Sequence, residues 1–119
     1  MTYINLDYLE SMAGGDPDII QELKEIFVAQ VPEFIKNLNM YLKEGRYIEL
    51  GKEAHKAKSS VMIMGMEALG KDLKALQLAT IAGTNEDSYP QYVKKFEVQC
   101  LGALEELKNG EALLSNKIN

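Results

Sequence analysis

The sequence predicts an all-α fold, an antiparallel up-and-down four-helix bundle preceded by one short additional helix. Three observations predict it. Apolar residues recur in steps of three and four along nearly the whole chain. No stretch alternates with the period of two that a half-buried strand requires. The breakers are few and fall between the periodic segments, at Gly14-Gly15-Asp16-Pro17, Gly45, Gly65, the run Gly83 to Ser88, and Gly110.

The leading helix is expected over Leu6 to Ala13. Asp16 then caps a long helix that has Pro17 at its first position, where the missing N–H costs nothing. Its core stripe reads Ile20, Leu23, Phe27, Val31, Phe34, Leu38, Tyr41. The period continues across Pro32, so one kinked helix is expected rather than two. Gly45 ends it. The next helix, about Tyr47 to Met64, carries Leu50, Ala54, Ala57, Val61 and Met64 on one face. Gly65 marks a tight break. A third long helix follows with Met66, Leu69, Leu73, Leu76 and Thr80, and the polar run Gly83 to Ser88 is a loop. The fourth carries Tyr89, Tyr92 or Val93, Phe96, Cys100, Ala103 and Leu107. Helices with short connections pack against their neighbours in the chain. Residues 1–119 thus read as a single domain, with the bundle over about 16–109, the leading helix over about 6–13 and a frayed tail over about 111–119.

Composition excludes several classes. The chain has 119 residues, 46% of them apolar and 26% charged, enough for one core without metal or disulfide staples. Its net charge of −5 and lack of a basic run argue against nucleic acid and against an anionic membrane surface. No apolar run approaches the roughly 20 residues of a membrane span, and the first residues lack the basic start of a signal peptide. One cysteine, Cys100, has no internal partner and lies on an apolar stripe, where a small buried thiol is expected. We therefore expect a cytoplasmic protein. Met1 and the lack of a long linker suggest a free-standing one.

The informative segment is Glu53-Ala-His-Lys-Ala-Lys-Ser-Ser-Val-Met-Ile-Met-Gly65. His55 is the only histidine of the chain. It follows the core residue Ala54, which turns it about 100° away, to the edge of the core face and within reach of solvent. Residues three and four away stand directly above and below it. Gly51 and Ser59, both small, would leave the imidazole clear for another protein to close over. A glycine inside a helix costs about 1 kcal/mol relative to alanine, so Gly51 calls for a reason. Lys52 and Lys58 would attract a phosphoryl group carried on the ring. An imidazole is largely neutral at neutral pH, and the neutral form is the nucleophile. The plain alternative is a surface histidine among ordinary surface lysines.

His55-Lys-Ala-Lys58-Ser59-Ser60 resembles the His-x-x-Lys-Gly/Ser-Ser/Ala signature of histidine phosphotransfer domains of multistep phosphorelays. Ala54 and Gly65 match the pattern around that helix. Leu6-Asp7-Tyr8-Leu9 and Gly15-Asp16-Pro17 resemble the leading helix and the first long-helix start, and Phe27 and Pro32 fit the helix that follows. The resemblance covers Leu6 to about Leu107. It implies that His55 accepts the phosphoryl group on the ring nitrogen remote from the backbone, and that Lys58 stabilises it. Ser59 stands where many members have glycine. Gln77 stands near a position from which a glutamine of the third helix orients the histidine; a merely solvated Gln77 is the alternative.

The implied partner is a receiver domain of a response regulator or hybrid kinase, which supplies an aspartate and the magnesium site. No cofactor is implied for this chain, which would be a phosphocarrier without an ATP site rather than an enzyme. A docking face is expected around His55, built from Gly51, Lys52, Ser59 and Met62, with Phe34 and Ile35 of the first long helix. Ile63 and Met66 lie beside Met62, although core packing is preferred for Met64 and Met66. A monomer is expected, because one chain supplies four helices. Two other classes compete with this reading. An enzyme using His55 as a base lacks an orienting acid, a nucleophile and a second histidine for a metal. A helical adaptor without phosphotransfer remains the alternative.

Overall fold

A computed structural model of the chain describes residues 3–118, with side chains described for residues 3–109. Five α-helices follow one another: α1 (Leu6–Met12), α2 (Pro17–Lys43), α3 (Tyr47–Ile63), α4 (Glu67–Ala82) and α5 (Tyr89–Ile118), with a 3₁₀ turn (Glu86–Ser88) before α5. No strand occurs among the described residues. None of the described helices is long and apolar enough to cross a membrane. The expected tail over 111–119 lies outside the residues whose side chains are described.

The helix limits have local causes. Asp16 caps α2 by accepting the backbone N–H of Asp18 at 2.9 Å. α2 runs unbroken through Pro32. Proline leaves the carbonyl four residues earlier unbonded. Here that residue is Val28, and both it and Pro32 are exposed. At the other end Gly45 adopts φ 69°, and Arg46 N–H closes back onto the Tyr41 carbonyl at 2.9 Å. Gly65 repeats the device at φ 74° between α3 and α4. It also meets a second demand, since a Cβ there would stand 2.5 Å from Asn5 Cβ. The Asn5 N–H donates to the Met64 carbonyl at 3.0 Å, which seats the start of α1 on the α3–α4 turn.

The stripes meet in one core. α2 packs on α3 and α5, α3 on α4, and α4 on α5. Phe27, Val31, Phe34 and Leu38 of α2 are buried with Leu50, Ala54, Ala57 and Val61 of α3. Leu69, Leu73 and Leu76 of α4 join them, as do Val93, Phe96, Cys100, Ala103 and Leu107 of α5. Of the pair left open by periodicity, Val93 is the buried one and Tyr92 is half-buried. Phe34 meets Phe96 edge to face, with ring centroids 6.4 Å apart. Tyr89, fully buried, donates its hydroxyl to the carbonyls of Ala79 (3.0 Å) and Thr84 (2.8 Å), tying α4 and the loop to α5.

The N-terminal segment is strapped to α5. The carboxylate of Glu106 accepts the backbone N–H of Tyr3 at 2.6 Å and of Ile4 at 3.0 Å. The Tyr3 ring lies over Gly102, where a Cβ would collide with it.

Candidate functional site around His55

The inward face of α3 is made by Leu50, Ala54, Ala57 and Val61, and His55 is exposed beside it. Glu53 lies on another side, buried towards α2. There it accepts a hydrogen bond from Asn37 Nδ2 at 2.9 Å and stands 3.9 Å from Lys56 Nζ. It is therefore no partner for the imidazole.

The partner comes from α4. Gln77 is half-buried, and its Oε1 lies 3.2 Å from His55 Nδ1. A carboxamide oxygen only accepts, so this contact puts the ring proton on Nδ1. In the neutral ring Nε2 then holds the free lone pair.

The reach is short because α3 and α4 approach closely. Gly51 is buried, and a Cβ there would overlap Thr80 Oγ1 and lie 3.6 Å from the Gln77 carbonyl oxygen. This is the reason for a glycine in mid-helix: it admits α4, and it is not an open shelf beside the imidazole. Further along, Gly70 of α4 is buried under Met62, whose Cγ would lie 3.0 Å from an added Cβ, with Lys58 Cγ at 3.8 Å. Lys58 thus lays its stem over α4. Among the described residues neither Lys52 nor Lys58 is paired with a carboxylate.

The residues expected to dock a partner divide. Lys52 and Ser59 are exposed on the His55 side of α3, and Met62 is half-buried there. Gly51 is interior, for the reason just given. Phe34 is also interior, 7% exposed and packed on Phe96, because its place in the core stripe of α2 leaves no surface to offer. Ile35 is half-buried against the core. Met64 and Met66 are buried, and Ile63 is partly so.

Three exposed apolar residues were missed. Ile48 of α3 is 54% exposed, and Leu78 and Ile81 of α4 are 54% and 67% exposed. Leu78 and Ile81 flank Gln77 and Thr80 in sequence, and Ile48 is one turn before Gly51. Their signal was available: each is a large apolar residue off the core stripe of its helix. The charge on these two helices also differs from that of the whole. α3 and α4 together carry five lysines (52, 56, 58, 71, 74) and four acids (Glu49, Glu53, Glu67, Asp72), in a chain of net charge −5. Of the acids, Glu53 is buried and Asp72 is held by Lys95 Nζ at 2.6 Å.

Among the described residues no group of three or more His, Cys, Asp or Glu side chains is placed to hold a metal ion. No family model matches the chain, and no curated protein or solved structure matches it.

Proposed function

We propose that the chain is a phosphorelay carrier of the histidine phosphotransfer class: His55 accepts a phosphoryl group on Nε2 and exchanges it with an aspartate of a receiver domain. The observation that carries the reading is the contact of His55 Nδ1 with Gln77 Oε1 at 3.2 Å, on an exposed ring. It supplies an oriented nucleophile with its lone pair on the outer nitrogen.

The chemistry asks little more of this chain. The phosphorus–oxygen bond of the aspartyl phosphate breaks, the phosphorus–nitrogen bond forms, and the aspartate leaves as a carboxylate. Catalysis is positioning and charge neutralisation. Lys58 neutralises the phosphoryl oxygens, and the receiver supplies magnesium and the acceptor aspartate. This chain acts as carrier, not enzyme. Ser59, Lys52, Met62, Ile48, Leu78 and Ile81 form the docking face, apolar patches within a basic rim suited to an acidic receiver site.

Packing supports an antiparallel four-helix bundle. The neighbours α2–α3, α3–α4, α4–α5 and α2–α5 form a closed ring. Along α3 and α4 the contacts pair 51 with 80, 55 with 77, and 62 with 70, so one number rises as the other falls. The carrier is monomeric and cytoplasmic in this reading.

The test is transfer from a radiolabelled phospho-receiver to the chain, beside His55→Gln. Label on the wild type alone, stable to alkali and lost in acid, is expected. No label from a broad receiver panel, with the chain folded, would replace the carrier with a helical adaptor.

A further inference from the structure

Gly51, His55, Gln77 and Thr80 form a closed square across the α3–α4 interface. Gly51 and His55 are one turn apart on α3, and Gln77 and Thr80 are one turn apart on α4. Across the interface Thr80 sits where a Gly51 Cβ would go, 3.2 Å from Thr80 Cβ. Gln77 Oε1 meets His55 Nδ1 at 3.2 Å. Along α4 the square is braced, because Thr80 Oγ1 donates to the Gln77 carbonyl at 2.7 Å. A Ser or Thr bond of this kind, back to the preceding turn, bends a helix locally.

The margins are narrow. A hydrogen bond fades beyond about 3.5 Å, so the His55–Gln77 contact tolerates only a few tenths of an ångström of helix separation. The first methyl group placed on Gly51 needs more than that, since it overlaps Thr80 Oγ1. Gly70 is different. A Cβ there meets the flexible end of the Met62 side chain, which moves without displacing either helix.

We infer that Gly51 and Thr80 are positioning residues for His55: their contact sets the helix spacing at which Gln77 holds the imidazole as the Nδ1–H tautomer. The consequence for phosphotransfer rests on the carrier reading. The tautomer itself does not. It has a clear signature, because a neutral histidine in water carries its proton mainly on Nε2, and the partner of the other nitrogen decides otherwise.

The experiment is a long-range ¹H–¹⁵N correlation on the ¹⁵N-labelled full chain in mildly alkaline buffer, where one histidine gives one unambiguous ring. Label transfer from a phospho-receiver is measured on the same samples. The wild type shows Nδ1–H. Gly51→Ala shifts the ring towards Nε2–H and slows transfer about two- to tenfold, with helical circular dichroism retained. Gly51→Ala combined with Thr80→Ala recovers Nδ1–H, and Gly70→Ala never loses it. If Gly51→Ala does not fold, Thr80→Val, which puts a bulkier methyl group where the hydroxyl faces Gly51, loses Nδ1–H, while Thr80→Ser keeps it.

A wild type in the Nε2–H form overturns the inference. So does retention of Nδ1–H in both Gly51→Ala and Thr80→Val. The two readings fail separately. A tautomer that moves as described, in a chain that no receiver labels, sinks the carrier and leaves the positioning pair. Labelled His55 with a tautomer unmoved by the variants does the reverse.

Discussion

Gln77 Oε1 stands 3.2 Å from His55 Nδ1 across 22 positions of sequence, so the group that orients the imidazole belongs to a different helix from the one that carries it. One such hydrogen bond contributes about 0.5–1.5 kcal/mol. Gln77→Ala is therefore expected to slow phosphoryl transfer about two- to tenfold while leaving the fold intact. The initial rate of label transfer decides it, and an unchanged rate would remove Gln77 from the mechanism.

His55 is exposed, and its ring fills no core position. His55→Gln should abolish labelling and move the thermal midpoint by no more than about 4 °C, the scale of an ordinary surface change. A collapse of helicity would instead make His55 a packing residue.

Lys58 and Lys52 flank the ring without carboxylate partners among the described residues. Lys58→Ala should slow transfer or shorten the phosphohistidine lifetime about fivefold or more, at unchanged stability. Receiver affinity should fall as salt rises, since the α3–α4 face is basic and exposed charges are screened within about 10 Å at 0.1 M salt. Removing Lys52 and Lys74 together should flatten that salt dependence. Titrations at low and high ionic strength would detect a slope that fails to change.

Ser59 and Gly51 both neighbour His55 on α3, yet they face different surroundings. Ser59→Leu should weaken receiver binding at nearly constant stability, because the side chain adds bulk in the open. Gly51→Leu should cost at least about 2 kcal/mol by driving α3 from α4. Denaturation curves and binding isotherms measured on both variants separate docking from packing; equal behaviour of the two would remove the distinction.

Burial pushes the Cys100 thiol up to about 12 from an ordinary value of 9.0. The folded state keeps its proton where the unfolded chain gives it up, so stability is fully present below pH 9.0 and is lost as pH rises towards about 12. That interval bounds the loss at about 4 kcal/mol. Cys100→Ala should flatten the alkaline limb of a stability profile, and the native thiol should resist alkylation at neutral pH. Rapid alkylation under native conditions would show the thiol to be accessible.

The helices and their inward faces were legible because each core stripe repeats four or more times; Leu50, Ala54, Ala57, Val61 and Met64 all lie where the period puts them. Periodicity reports the direction a residue faces and not what it meets there. Gly51 was read from its neighbours along α3, whereas its role is set by Thr80 on α4, which no spacing within one helix reveals. Gly70 under Met62 is another such case. Phe34 was legible and misassigned, since its own stripe already placed it inside. Leu78 and Ile81 were equally legible, as apolar residues that the core of α4 does not need.

The strap between Glu106 and the backbone of Tyr3 and Ile4 spans 103 and 102 positions. A chain emerging from a ribosome carries Tyr3 and Ile4 long before it carries Glu106. The anchor that holds Tyr3 over Gly102 is thus absent while α2, α3 and α4 are made. The bond from Asn5 to the Met64 carbonyl and the contact of α1 with α3 need only residues made earlier. The segment before α2 is therefore fastened in two stages, first by α3 and its turn and then by α5.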